Sequence, residues 1–545
     1  MQASQNQRMQ ATIQGFFHQS PLELDVYGLS NLQILDSNNF PEFRNHGTIL
    51  SFQQEQFFTL DTSTASICSV VNDSPVASIA SNRNPVSPQD SLSWITDSLN
   101  SSDYADGSPS SGLSSTDDAT AMWQKIKELE MKLLSPESDC TNEDRTFLPG
   151  GFLQQYSTFR YSRNQLLQML PTMTITEAAI QCAEAVSDEN MELVEPLMNL
   201  LEQKVSVCGE PVDRLCAYLL EGLKAKLEYS GNNICKILKC EAPIGADLMT
   251  SMSFLYQLCP YWRFAYLSAN ATIRESIKYE PRIHIIDFQI AQGSQWIDLM
   301  QSLASRPGGP PTIRITGVDD PESAHARGGG LDIVYKRLLE TARNCRISFS
   351  FHDAAMAGCE INKEHLYLCP GEAVVVNFPY VLHHIPDESV NTRNHRDRLL
   401  RLVKTLSPKI VTIVEQESNT NTKPFFSRFL ETVDYYNAMF ESIDVASARD
   451  DKKRISAEQH CVARDIVNLI ACEGSERTER HELLGKWRSR LAMAGFVQVP
   501  MGPSAASAIT DLLKNYNENF RMEERDGSLY LWWKHRAMST SSAWR

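Results

Sequence analysis

The sequence predicts an α/β protein: a doubly wound, mainly parallel sheet, preceded by an all-helical block and a disordered arm. Three observations carry this expectation. Short Val/Ile-rich runs without polar alternation recur past residue 280, as in strands covered on both faces. Helical segments lie between several of these runs, which is the texture of parallel βα units. The charge is also unevenly spread, because residues 1–165 hold 9 Lys and Arg against 19 Asp and Glu, a net −10 of the chain's −16.

Residues 1–164 read as an acidic, mostly disordered arm rich in Ser, Asn and Gln. Its centre, Ser98–Asp118, has too few apolar groups to offset the entropy of ordering. Apolar islands interrupt it at Phe57–Leu60, at Leu92–Ile95 and at Trp123–Leu134, where Trp123, Ile126 and Leu129 fall on one helical face. Such a helix serves either a partner or the folded part of the same chain. Long helical periodicity follows at Ile175–Leu201 and Pro211–Lys226. Within the first stretch Leu197, Leu200 and Leu201 form an L-x-x-L-L pattern, read as a helix-in-groove partner motif or as ordinary core.

Seven strands are expected at Ile283–Phe288, Thr312–Val318, Ile347–His352, Ala373–Phe378, Ile410–Glu415, Phe496–Val499 and Leu529–Lys534. Helices are expected at Gly330–Cys345, His395–Leu406, Phe426–Phe440 and Glu479–Ala494. Seven strands, the last two close to the end of the chain, fit a methyltransferase-like Rossmann core with the helical block as its cap.

In such a sheet ligands sit outside the carboxyl ends of the strands, which singles out Asp287, Asp319 and Asn377. Asn377-Phe378-Pro379-Tyr380 is similar to the N-P-P-Y tetrapeptide of some amino-methyltransferases. The turn after Asp287 argues against a cofactor. A methyltransferase pattern such as L-G-x-G-x-G lets the backbone approach the ligand, whereas here Gln289 and Ala291 stand at two glycine positions and only Gly293 remains. Asp287 is expected to cap the strand-to-helix turn, while Gln289, Gln292 and Gln295 fill the former pocket or hold a ligand there.

No nucleotide-binding, zinc-protease or nucleophile-elbow motif is present. The chain is therefore expected to be no enzyme and to need no cofactor. His383 and His384 are adjacent and cannot share a helix face, so a satisfied loop pair is expected rather than a metal site. Thirteen cysteines are scattered without a C-x-x-C pair, which argues against zinc or disulfide frameworks. Gly328-Gly329-Gly330 reads as a hinge or an anion-binding turn.

DNA contact by an acidic chain needs a local basic face. The candidates are Arg393, Arg396 and Arg398 in one stretch and Lys486, Arg488 and Arg490 in another, with Lys452-Lys453-Arg454 between them. Trp296, Trp487, Trp532, Trp533 and Trp544 are expected to anchor layers of the fold. No apolar run is long enough for a membrane helix and the first residues lack a secretory pattern, so the expected partners include no membrane and the expected place is nucleus or cytosol.

Ile283-His284-Ile285-Ile286-Asp287 corresponds to the V-H-I-I-D motif of the plant GRAS family, with leucine-rich helical stretches on both sides. Pro424, Phe425 and Arg428 resemble the family's P-F-Y-R-E region, with Phe at the Tyr position and looser spacing. Arg477, Glu479, Arg480, Trp487 and the terminal Ser542-Ala543-Trp544 resemble its last region, named for S-A-W. The resemblance covers 165–545: first leucine-rich region about 172–235, HIID region 252–318, second leucine-rich region 328–360, PFYRE-like region 369–463 and SAW region 466–544. Segments such as IDFQIAQGSQW, FPYVLHHIPDESV and RISAEQHCVARDIVN look like the scarecrow-like branch associated with phytochrome A signalling. The resemblance implies a nuclear transcriptional regulator that works through other transcription factors or GRAS proteins and at promoter DNA. An S-adenosylmethionine-type enzyme and a scaffold that never touches DNA are the two rival readings.

Overall fold

The computed structural model describes residues 163–228, 245–319 and 330–545. The apolar islands of the arm, the helix bearing Trp123, Ile126 and Leu129, and the glycines Gly328 and Gly329 lie outside the described residues.

Among the described residues six α-helices precede the sheet: α1 (Arg163–Met169), α2 (Ile175–Ser187), α3 (Met191–Lys204), α4 (Pro211–Leu227), α5 (Gly245–Leu258) and α6 (Tyr261–Ser276). Thr174 and Glu177 close a capping box that starts α2. The long periodic stretch from Ile175 is two helices, because the backbone turns at Glu189, whose φ is +55°. Pro211 begins α4, where a missing N–H costs nothing.

The sheet begins with β1 (Arg282–Asp287), α7 (Ser294–Ala304), β2 (Thr312–Val318), α8 (Leu331–Asn344), β3 (Phe349–Ala354), β4 (Ala373–Pro379), α9 (His395–Thr405) and β5 (Ile410–Gln416). The chain then returns to the cap with α10 (Phe425–Asp444), α11 (Lys452–Ala457), a π-helical turn at Glu458–Val462 and α12 (Ala463–Ala471). It finishes with α13 (Leu484–Met493), β6 (Gln498–Val499), α14 (Pro503–Leu513), β7 (Phe520–Arg525), β8 (Ser528–Trp533) and β9 (Arg536–Trp544).

The strand order is β3-β2-β1-β4-β5-β9-β8-β7, with β6 paired to the far end of β9. Pairings among β1 to β5 are parallel, and every pairing that involves β6 to β9 is antiparallel. The Rossmann-type core and helical cap agree with the expectation, but the sheet has nine strands rather than seven. β7 carries four charged residues in six, and the middle of β9 is the hydroxyl run Ser539–Ser542, so neither shows an apolar run.

The absence of alternation in the central strands has a direct cause. Ile283, Ile285, Ile313, Ile315 and Val375 face one core shared with Phe264, Ile273 and Leu299 of α6 and α7. Ile286, Val376, Val411 and Ile413 face a second core with Leu399 and Val403 of α9 and Trp487 and Leu491 of α13. Trp296 and Trp533 belong to the first core; Trp487, Trp532 and Trp544 belong to the second. In the cap, α4 packs against α2, α10 and α12. Among the described residues no helix is long and apolar enough to cross a membrane.

Candidate functional site

The strand order reverses between β1 and β4, which places the crevice of a doubly wound sheet at their carboxyl ends. Asp287 sits there, only 1% exposed. Its Oδ2 accepts a hydrogen bond from Trp296 Nε1 at 2.7 Å, and its Oδ1 accepts from Asn377 Nδ2 at 3.3 Å and the Gln289 amide at 3.2 Å. Asn377 Nδ2 also donates to Gln295 Oε1 at 3.0 Å, and Asn377 Oδ1 accepts from Thr412 Oγ1 at 2.7 Å. Gln295 Nε2 donates onward to Asn270 Oδ1 of α6 at 3.2 Å. The network is buried throughout and satisfies its members internally.

The backbone here keeps the path of a glycine turn while side chains occupy its hollow. Ala291 adopts φ +46° and Gly293 φ +74°, both left-handed. Ile290 is buried against Gly317 of β2, where an added Cβ would lie 3.0 Å from Ile290 Cδ1. Asp319, beyond the end of β2, is also buried. Of the three glutamines, Gln295 joins the network, Gln292 lies near Arg337 of α8, and Gln289 turns toward a neighbouring cavity.

Burial pushes the Asp287 carboxyl up to about 6, although its three donors pull it down. The folded protein thus binds this proton more tightly than the unfolded chain, so its contribution to stability falls as pH rises from about 4 to about 6 and is flat above. Trp296→Phe removes the Oδ2 donor and is expected to cost about 1–3 kcal/mol. Because the missing donor matters most to the ionised carboxylate, the loss should be larger at about pH 8 than at about pH 5 in urea titrations. An equal loss at both would refute the role given to Trp296.

Beside the filled crevice, a cavity of about 480 Å³ lies under the cap. Tyr380 and Gln416, at the ends of β4 and β5, contribute to its wall; Tyr256 of α5, Trp262 of α6, Tyr435 of α10 and Cys461 of the π-helical turn complete it. Insertions of this π type recur at functional sites. At one side of the cavity a short turn, Leu382–His384, carries His383 and His384.

His383 Nδ1 bonds Glu415 Oε2 at 2.5 Å, and Glu415 Oε1 accepts from the Val381 and Leu382 amides. Across from it, Glu479 Oε2 lies 3.4 Å from His383 Nε2 and 3.3 Å from His481 Nε2, while Glu479 Oε1 lies 3.4 Å from His384 Nδ1. Burial alone would lower the His383 imidazole, but Glu415 and Glu479 outweigh it and raise it to about 10. Desolvation beside the cavity wall and the neighbouring His383 lower His384, although its side chain remains 40% exposed. Asp465, on the same wall, is held well above the carboxylate range by burial and by Glu479. Sequence order gives no signal for this cluster, since Glu415, Glu479 and His481 reach His383 only through the fold.

The basic candidates require correction. Arg396 is 0% exposed: it donates to the Ile385 carbonyl at 3.1 Å and pairs with Glu482 at 3.2 Å. Arg490 is 3% exposed and contacts Glu482, Asp387, Glu388 and Asp397 at 2.7–2.9 Å. These two guanidiniums are internal braces, unavailable to DNA, because their carboxylate partners arrive from other segments. Arg398 is tied to the Ile361 and Cys359 carbonyls, Lys486 to Glu482, and Arg488 to Asp526; Arg393 is exposed. Leu197 and Leu201 are likewise corrected as partner residues, since both are fully buried in the core with Leu200 half-buried beside them. Gly330 stands at the start of α8.

The remaining family-motif residues are mostly internal. In β1, Ile283 and Ile285 face one core and Ile286 the other, and His284 Nε2 bonds Thr316 Oγ1 at 2.8 Å. Pro424 precedes α10 and Phe425 opens it. Arg428 donates to the Leu469 carbonyl at 2.7 Å, Arg477 to the Thr420 and Asn421 carbonyls at 3.1 and 2.8 Å, and Arg480 is buried beside Gly474. Ser542, Ala543 and Trp544 lie in β9, opposite Ile413, Thr412 and Val411. All nine cysteines among the described residues are free thiols.

Comparison with known proteins places these features. The profile of the GRAS domain family matches residues 175–545. Scarecrow-like protein 13 of Arabidopsis thaliana is 52% identical over 546 residues, covering 100% of this chain and 99% of that protein. Scarecrow-like transcription factor PAT1 of Arabidopsis thaliana is 52% identical, over 79% of this chain and 87% of its own. The crystal structure of SCL7 in Oryza sativa superimposes with a TM-score of 0.59 at 32% identity, covering 68% of this chain and 100% of that one.

Proposed function

Because the chain belongs to the GRAS domain family and its scarecrow-like relatives are plant transcriptional regulators, we propose that it acts in the nucleus, and also in the cytoplasm, as a non-enzymatic platform. Its partners are other transcription factors or GRAS proteins, in homo- or heterodimers, and promoter DNA. The pathway is light signalling through phytochrome A, or development. The observation that supports a platform over a methyl-transfer enzyme is the crevice between β1 and β4, where Trp296, Ile290 and the Asp287–Asn377–Gln295 network take up the space a glycine turn would leave for a cofactor.

Two measurements test this reading. Calorimetric titration with S-adenosylmethionine is expected to give no binding heat, and micromolar binding would overturn it. Purified full-length protein is expected to retain base-sequence preference on promoter fragments as salt rises, whereas binding that is sequence-blind and fades with salt would remove DNA from the partners. Affinity capture from nuclei with and without residues 1–164 then assigns each protein partner to the arm or to the folded core.

A further inference from the structure

The cluster beside the cavity presents three metal-ligating atoms to one point. His383 Nε2 and His481 Nε2 lie 3.4 and 3.3 Å from the same oxygen, Glu479 Oε2, and all three ligand atoms fall within 4.8 Å of one another. Each histidine is oriented from behind. His383 turns Nδ1 to the Glu415 carboxylate, itself fixed by two backbone amides, and His481 turns Nδ1 to Thr420 Oγ1 at 3.1 Å. A metal that displaces the second ring proton of His383 would leave the first directed at Glu415 and free the Nε2 lone pair to face inward. Glu479 Oε2 and His481 Nε2 are buried and have no hydrogen-bond partner among the described residues. The buried negative charge of this cluster needs a cation, supplied either by a second proton on His383 or by a metal ion held between the three atoms.

We propose that His383, Glu479 and His481 bind a divalent transition-metal ion of the zinc type, with a further coordination position open to the cavity under the cap. The spacing fits such an ion: ligands about 2.0–2.1 Å from a tetrahedral centre stand about 3.3–3.4 Å apart, as both observed edges do. The donors fit as well, because two imidazoles and a carboxylate suit zinc better than calcium or magnesium. A carboxylate behind a ligating histidine is the usual outer contact of a zinc site, and Glu415 supplies it. Three protein ligands leave a coordination position for an exogenous group. The neighbouring cavity, walled by Trp262, Tyr380 and Tyr435, would admit a small, largely apolar molecule with an anionic oxygen or azole nitrogen donor. The competing cation is a proton shared between His383 and the two glutamates. The metal site does not depend on the regulatory reading.

The test uses the full-length protein, stripped with chelator and titrated with Co²⁺ and then Zn²⁺. One Co²⁺ per chain is expected to give the visible absorption of a four-coordinate nitrogen and oxygen site, without the near-ultraviolet thiolate band of cysteine ligation, and Zn²⁺ should displace it. His481→Gln and Glu479→Gln, each checked by circular dichroism, should lose about tenfold or more in affinity. No uptake by the wild type, a thiolate band, or wild-type affinity in both folded variants would each overturn the proposal. Should both variants misfold, X-ray absorption of the wild-type zinc complex decides: nitrogen and oxygen neighbours at about 2.0–2.1 Å with imidazole scattering support the site, and sulfur neighbours refute it.

Discussion

Replacing Arg490 with alanine is expected to lower the stability of the folded core by about 3–5 kcal/mol, the usual cost of leaving buried carboxylates without their counter-charge. The side chain is almost wholly buried and joins four acids from three places in the chain: Asp387 and Glu388 after β4, Asp397 in α9, and Glu482 just before α13. Without it, Arg396 remains beside the buried Asp387 and Glu482, and Lys486 reaches Glu482 only. Lysine cannot supply the guanidinium fork, so Arg490→Lys should recover only part of the loss.

The pH dependence carries the sign of this arrangement. Burial pushes the carboxyls of Asp387 and Glu482 up, but Arg396 and Arg490 outweigh it and hold both below their ordinary values. Their stabilisation is therefore complete above about pH 4–5 and is lost as pH falls below that range. In the alanine variant both acids gain protons more readily, so the deficit measured by urea denaturation should narrow as pH falls. A loss under about 1 kcal/mol at neutral pH would mean that the acids relax into solvent and that the cluster is not a brace.

Trp544→Ala should cost a similar amount, about 3–5 kcal/mol, through the cavity left by a large buried ring. Its indole packs in the core that holds Trp487 and Phe496, and its Nε1 donates to Ser542 Oγ at 3.0 Å. Its backbone pairs with Val411 of β5 on one side and Gln498 of β6 on the other. Any loss of partner binding should follow the unfolded fraction in thermal melts. A variant with unchanged melting and lost partner binding would make Trp544 a recognition residue instead.

The sequence exposes most clearly those elements whose burial is apolar on both faces. β1, β2, β4 and β5 read as strands because short Ile- and Val-rich runs such as Ile285-Ile286, Ile313–Ile315, Val375-Val376 and Ile410-Val411 enter the two cores, even where His284, Arg314 and Thr316 interrupt them. β9 escapes notice because its buried positions are hydroxyls with internal partners, such as Ser541 with Ser268 and Ser539 with Tyr380. A pattern reading sees solvent where the fold supplies hydrogen bonds. The missing glycines after Asp287 are legible in the same direct way, as side chains where backbone would otherwise approach a ligand. Arg396 and Arg490 mislead for the opposite reason, since a run of cations does not reveal which anions will reach it. Glu479 and His481 stand two residues apart in sequence, yet only the fold brings His383 to them.

The position of β9 bears on how the protein is made. It is the last of the nine strands in chain order, yet it lies inside the sheet, hydrogen-bonded to β5 on one side and β8 on the other. Until it is synthesised, β5 has no neighbour beyond β4 and presents an open row of amides and carbonyls from an apolar strand, a template for pairing with other chains. Joining Val411 to Trp544 closes a long loop late, which slows the final step and lengthens the exposure. Nascent copies of this chain should therefore lean on chaperones until β9 docks, and a chain stopped before Arg536 should aggregate rather than persist as a smaller folded regulator.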